Sequence, residues 1–119
     1  MLYALLCYNS EEMTTSWTKE EDDAVMAKLD VVHKKLAGQH RFGPSIRLMP
    51  TTAATTLRKQ DDTVLDGPYA ETKEQLLGFY IIDTPGLNEA IAAARDLAKA
   101  NPGGAYEIRP IMLFIPEGE

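Results

Sequence analysis

Leu65-Asp66-Gly67-Pro68-Tyr69-Ala70-Glu71-Thr72-Lys73-Glu74 runs through Gln75-Leu76-Leu77 into Gly78-Phe79-Tyr80-Ile81-Ile82-Asp83, and the reading of this stretch decides the architecture. Asp-Gly-Pro makes a rigid turn. A cluster of charges follows, and then an apolar run in which Phe79 and Ile81 point one way while Tyr80 and Ile82 point the other. A strand apolar at both parities belongs at the centre of a sheet with cover on both faces. Polar groups of both signs beside a fixed corner also mark the wall of a cleft.

Working outward, residues 2–8 (Leu-Tyr-Ala-Leu-Leu-Cys-Tyr) form a second two-sided apolar strand, and residues 9–16 read as a polar loop. A helix then has both ends marked. Thr18 and Glu21 form a capping box, and Glu20, Glu21, Asp22 and Asp23 load the first turn with negative charge. Val25, Leu29, Val32 and Leu36 recur on one face. Lys34 and Lys35 suit the C-terminal end, where Gly38 is placed to take the left-handed cap.

Residues 46–49 make a short strand stopped by Pro50, and 54–59 turn at Asp61-Asp62 to return as 63–65, a β-hairpin. A second helix is expected over 87–100, with Leu87, Ile91, Ala94 and Ala98 on one face and Ala90 and Leu97 flanking it. Asn101-Pro102-Gly103-Gly104 ends it. The last strand covers 106–115, and Pro110 inside it implies an edge position or a bulge. Residues 116–119 read as a frayed tail. The order is β-α-β-β(β)-β-α-β, an α+β sandwich of ferredoxin-like type. Two helices cover one face of such a sheet only. The other apolar face calls for the same sheet of a second protomer, so a homodimer packed face to face is expected.

With 119 residues the chain is one domain, 1–119, and its 45% hydrophobic and 25% charged content is that of an ordinary globular protein. The net charge of -6 excludes nucleic acid and an anionic membrane surface as partners. A lone Cys7 in an apolar run is read as a small buried hydrophobe, and together with the absence of a signal peptide it points to the cytoplasm. Two histidines and one cysteine at unrelated spacings write no metal motif. Gly103-Gly104 follows a helix instead of preceding one, the reverse of a nucleotide fingerprint, so no cofactor is expected.

The segments Asp66-Gly67-Pro68-Tyr69-Ala70-Glu71-Thr72-Lys73-Glu74-Gln75-Leu76, Gly78-Phe79-Tyr80-Ile81-Ile82 and Glu107-Ile108-Arg109-Pro110 resemble the signature of the DGPF branch of the YCII-related family. Tyr3-Ala4-Leu5-Leu6 and Thr55-Thr56-Leu57-Arg58 fit as well, so the resemblance covers nearly the whole chain. It implies a dimeric α+β barrel of ferredoxin-like protomers. For the wider family a histidine-aspartate dyad has been proposed, with its histidine near the start of the first helix, and one related member is a dehydrochlorinase. Here that stretch is Trp17 to Asp23 and holds no histidine, so the dyad is not carried over. Leu77 stands where the branch usually has a second glycine.

Six residues are candidates for chemistry. Asp66 either caps its own turn or serves as a general base held in a cleft. Lys73 belongs to a solvated turn unless it points inward to pair with Asp66 or a ligand. Tyr80 needs a partner for its hydroxyl, which a ligand or Arg109 could supply. Glu107 and Arg109 share a strand face, as an ion pair or as an anion clamp that Arg58 could join. His33 reads as a packing residue and His40 as exposed. Two functions stay open: a cofactor-independent lyase- or isomerase-like enzyme acting on a small polar or aromatic acid, and a non-catalytic regulatory dimer that binds a small ligand or a partner.

Overall fold

The computed structural model describes residues 1–116. Among these, six strands and three α-helices follow in the order β1 (Leu2–Asn9), α1 (Glu11–Thr15), α2 (Lys19–Gly38), β2 (Phe42–Arg47), β3 (Thr55–Arg58), β4 (Thr63–Asp66), β5 (Gln75–Asp83), α3 (Leu87–Ala100) and β6 (Ala105–Pro110), with one 3-10 turn at Thr51–Ala53. Four strands form a sheet in the order β2-β5-β1-β6, antiparallel throughout, and β3 with β4 forms a separate two-stranded sheet. This is an α+β architecture consistent with the ferredoxin-like plan, with the hairpin inserted between β2 and β5.

β1 and β5 take the two central places because they carry apolar side chains at both parities. In register, Leu5 faces Tyr80 and Tyr3 faces Ile82, and these four, with half-buried Phe42, Tyr106 and Ile108, make the face on which the helices lie. Leu5 and Ile82 are fully buried there, and truncating either to Ala would cost about 2–5 kcal/mol. Leu29 and Leu36 of α2 and Ala90, Ala93, Ala94, Leu97 and Ala100 of α3 close the core. The small residues let α3 lie close to the sheet, but its buried stripe is turned relative to the expected one. Leu87 and Ala98 are exposed, because the helix presents its alanine-rich flank.

Local details correct the sequence reading at several points. Residues expected as a loop contain α1, whose N-cap Ser10 accepts from the Met13 N–H and whose first turn holds Glu11 and Glu12. The α2 capping box forms as expected, with the Thr18 hydroxyl taking the Glu21 N–H at 3.1 Å. Gly38 stays within the helix, however, and His40 at φ 57° makes the left-handed turn. β6 ends at Pro110, although the Ile111 N–H still donates to the Leu2 carbonyl. Residues 117–119 of the expected tail lie outside those described. At Gly78, β5 passes so close to β2 that a Cβ would collide with the Ile46 carbonyl oxygen. No helix among the described residues is long and apolar enough to cross a membrane.

Candidate functional site

Between the helix-facing side of the sheet and the N-terminal half of α2 lies a cavity of about 730 Å³. Its floor comes from β1 and β5 through Cys7, Gly78 and Tyr80, its roof from α2 through Val25, Leu29 and His33, and its rim from Trp17, Arg47, Leu48 and Met49. Gly78 matters here because its missing side chain both admits β2 and leaves the floor open.

His33 and Tyr80 meet inside. His33 Nε2 is 3.3 Å from the Tyr80 hydroxyl, and the imidazole stacks on Phe42 with centroids 4.8 Å apart and planes at 20°. Tyr80 in turn meets Tyr106 edge-on at 6.4 Å. Burial lowers the His33 pKa from its ordinary 6.5, only partly opposed by the Asp30 charge. Burial, then the neighbouring Tyr106 and Cys7, raises that of Tyr80, with Arg47 acting slightly against. At neutral pH the pair is therefore an uncharged imidazole and an uncharged phenol, one able to accept a proton and the other to donate a hydrogen bond. Asp30 does not orient the imidazole. Its carboxylate is engaged by Lys34 at 2.9 Å.

Charge enters at the mouth. Arg47 Nη2 donates to Asp22 Oδ1 at 3.0 Å, joining β2 to the first turn of α2 across the opening. Arg47 is paired in the sheet with Gly78, two residues before Tyr80, which sets guanidinium and phenol rows about 7 Å apart at ~3.4 Å per residue. Glu11 braces the same rim. Its carboxylate accepts from the Thr51 N–H at 2.8 Å and the Thr51 hydroxyl at 2.7 Å, while its own N–H donates to Gln75 Oε1 at 2.9 Å. Cys7 is a free thiol whose pKa burial pushes up to about 12, so it stays protonated and unreactive. No group of three or more His, Cys, Asp or Glu side chains among the described residues is placed to hold a metal ion.

Of the six residues expected at a site, Tyr80 alone lines this cavity. Asp66 and Arg58 stand exposed on the β3–β4 hairpin, and Lys73 stands exposed in the turn that follows. Glu107 and Arg109 form an ion pair at 2.6 Å. They project from the opposite face of the sheet, since Glu107 is in register with Leu6 and Phe79, and Arg109 with Ala4 and Ile81. His33, Asp22 and Arg47 are the cavity residues that sequence reasoning passed over. The available signal was that His33 falls one residue from Val32 on the apolar edge of α2, the side that faces the sheet.

An antiparallel sheet with helices on one face and a cavity between the layers is an α+β architecture consistent with the ferredoxin-like plan. A family model for the YCII-related domain matches residues 1–115, and the chain belongs to that family. An uncharacterized protein of Rhizobium meliloti (strain 1021) is 56% identical over 119 residues, covering 98% of this chain and 96% of that protein.

Proposed function

We propose that the cavity binds a small aromatic or carboxylated ligand and moves a proton on it without a cofactor, in a lyase- or isomerase-like reaction. The observation that carries this is the contact between His33 Nε2 and the Tyr80 hydroxyl inside a mostly apolar enclosure. An imidazole kept uncharged in that setting is available as a general base, and the phenol beside it stabilises an oxyanion as it develops. Arg47, about 7 Å away along the strands, would receive the carboxylate in exchange for Asp22. Asp66 and Arg109, the base and anion clamp expected from the sequence, are not required for this reading.

One observation favours a non-catalytic alternative, a regulatory dimer that holds a ligand or partner: among the described residues no carboxylate bonds to His33, and the nearby Asp30 is taken by Lys34. Membership of the DGPF branch is supported by the Asp66-Gly67-Pro68 corner, and a cytoplasmic setting by the single free thiol. Assembly as a homodimer, with sheets face to face in an α+β barrel, is supported by the apolar row Ile46-Phe79-Leu6 on the side away from the helices.

Trp17, the single tryptophan, lines the cavity and reports on its occupant. A panel of aromatic and short-chain carboxylic acids, read by Trp17 emission and by thermal shift, identifies a ligand. Turnover of that ligand is then followed by NMR. His33→Gln should retain binding and lose turnover by at least ~100-fold, the usual share of a general base. Unchanged turnover in His33→Gln and Tyr80→Phe removes the catalytic reading, and binding without any turnover in the wild-type chain supports the regulatory one.

A further inference from the structure

We infer that the β3–β4 hairpin is an exchanged arm, laid across the cavity mouth of a second copy of the chain, so that each site is completed by its partner. The hairpin is paired only to itself and packs extensively against no other element of the described chain. A two-stranded ribbon of four residues per strand does not hold its shape alone in water. Its apolar side chains are unburied: Leu57 and Val64 face each other across one side, Val64 at 65% exposure, and Leu65 lies on the other. The radius of gyration, 15.8 Å, exceeds the ~13.5 Å of a compact chain this long, as a projecting arm requires.

The complementary surface is on the same molecule. Ile46 near the end of the edge strand β2, with Leu48 and Met49 just beyond it, forms an exposed apolar rim at the cavity mouth, Met49 at 78%. Arm and rim are joined by the short segment from Pro50 to Ala54, anchored by the bonds of Thr51 to Glu11. Two unburied apolar surfaces springing from one root satisfy each other in an isologous pair: a two-fold axis near that root crosses the arms, and closed symmetry uses both surfaces completely. Ile46 also belongs to the open sheet row with Phe79, so the rim is continuous with the face proposed for sheet-to-sheet packing. Each arm would carry Arg58 and Asp66 to the partner's mouth, which gives those two residues a route to a site they do not reach at home.

The test uses the full chain with Met49→Cys and Val64→Cys. ¹⁴N- and ¹⁵N-labelled batches are mixed, allowed to exchange subunits and treated with a short bismaleimide, and the linked peptides are read by mass spectrometry. Cys7 is half-buried and lines the cavity, so the unsubstituted chain is the control for any link it makes. Mixed heavy–light Met49–Val64 pairs are expected. Links only within one isotope label, a dimer without links, or a monomer in sedimentation each overturn the inference. As a second arm, Leu57→Asp with Val64→Asp should weaken self-association on the order of 10-fold or more while leaving the circular dichroism of the core unchanged, since the arm supports nothing in its own protomer. Unweakened association overturns the inference as well. Neither readout involves a ligand, so this result stands or falls separately from the catalytic reading.

Discussion

His33 Nε2 lies 3.3 Å from the Tyr80 hydroxyl although the two residues are 47 positions apart and on different layers, one on α2 and one on β5. The imidazole is held from behind by the Phe42 ring. Neither element could place this contact alone. The α2–sheet packing that buries Leu29 and Leu36 above Tyr80 is what makes it.

That burial has a pH signature. The folded pKa of His33 is below its ordinary value of 6.5, with Asp30 on its own helix opposing the shift and uncharged Tyr80 facing it from the sheet. As pH falls through 6.5, the unfolded chain takes up a proton that the folded chain resists. Stability should thus decline with acidification from near neutrality and level off once pH passes below the folded pKa. Urea midpoints measured across this range in wild type and His33→Phe should show the slope in the first and its absence in the second.

Gly78→Ala should destabilise the fold by about 1–3 kcal/mol, toward the upper end, because the new methyl meets backbone in place of a yielding side chain. The obstacle is the Ile46 carbonyl oxygen of the neighbouring strand. Chemical denaturation measures the loss, and amide exchange at Ile46 and Arg47 should accelerate most. Equal stability would mean that the two strands can separate at no cost.

Glu11→Ala should loosen the cavity rim more than the whole fold. It removes two charge-assisted bonds from Thr51, together worth about 2–3 kcal/mol where they are shielded. Faster exchange confined to α1 and residues 51–54 is the expected outcome, with a smaller shift in the global midpoint.

Arg47→Ala separates binding from stability. The Asp22–Arg47 pair is largely solvated, with Arg47 at 62% exposure, so its loss should change stability by less than about 1 kcal/mol. Affinity for a carboxylated ligand should fall on the order of 10-fold or more, whereas a neutral analogue should be unaffected. Isothermal titration with the two ligands gives the comparison.

Most of the secondary structure was legible because its signals are local. The capping box at Thr18, the Asn-Pro-Gly-Gly stop after α3 and the two-sided apolar run of β5 each work within a few residues. The short α1 was missed because five residues are too few to show a period, even though Ser10 and two glutamates marked its start. The left-handed turn moved from Gly38 to His40 because α2 runs two residues further than a glycine stop would predict. The cavity was the least legible part. Asp22 meets Arg47 across 25 positions, and His33 and Tyr80 are recognised as partners only once α2 is laid on the sheet. Tyr80 was found because a buried hydroxyl demands a partner; the identity of that partner is a property of packing.

The pairing of Arg47 with Gly78, two places from Tyr80, acts as a ruler graduated in whole notches. A side chain returns to the same face of a strand only every second residue, so any slip of β2 along β5 that kept Arg47 over the cavity would move it by about 7 Å at once. With an acid as the ligand proposed above, homologues could therefore not drift gradually from short ligands to longer ones by sliding this strand. They would have to jump, or change the reach of the residue at the Arg47 position. Ligand length in such proteins should fall into discrete classes.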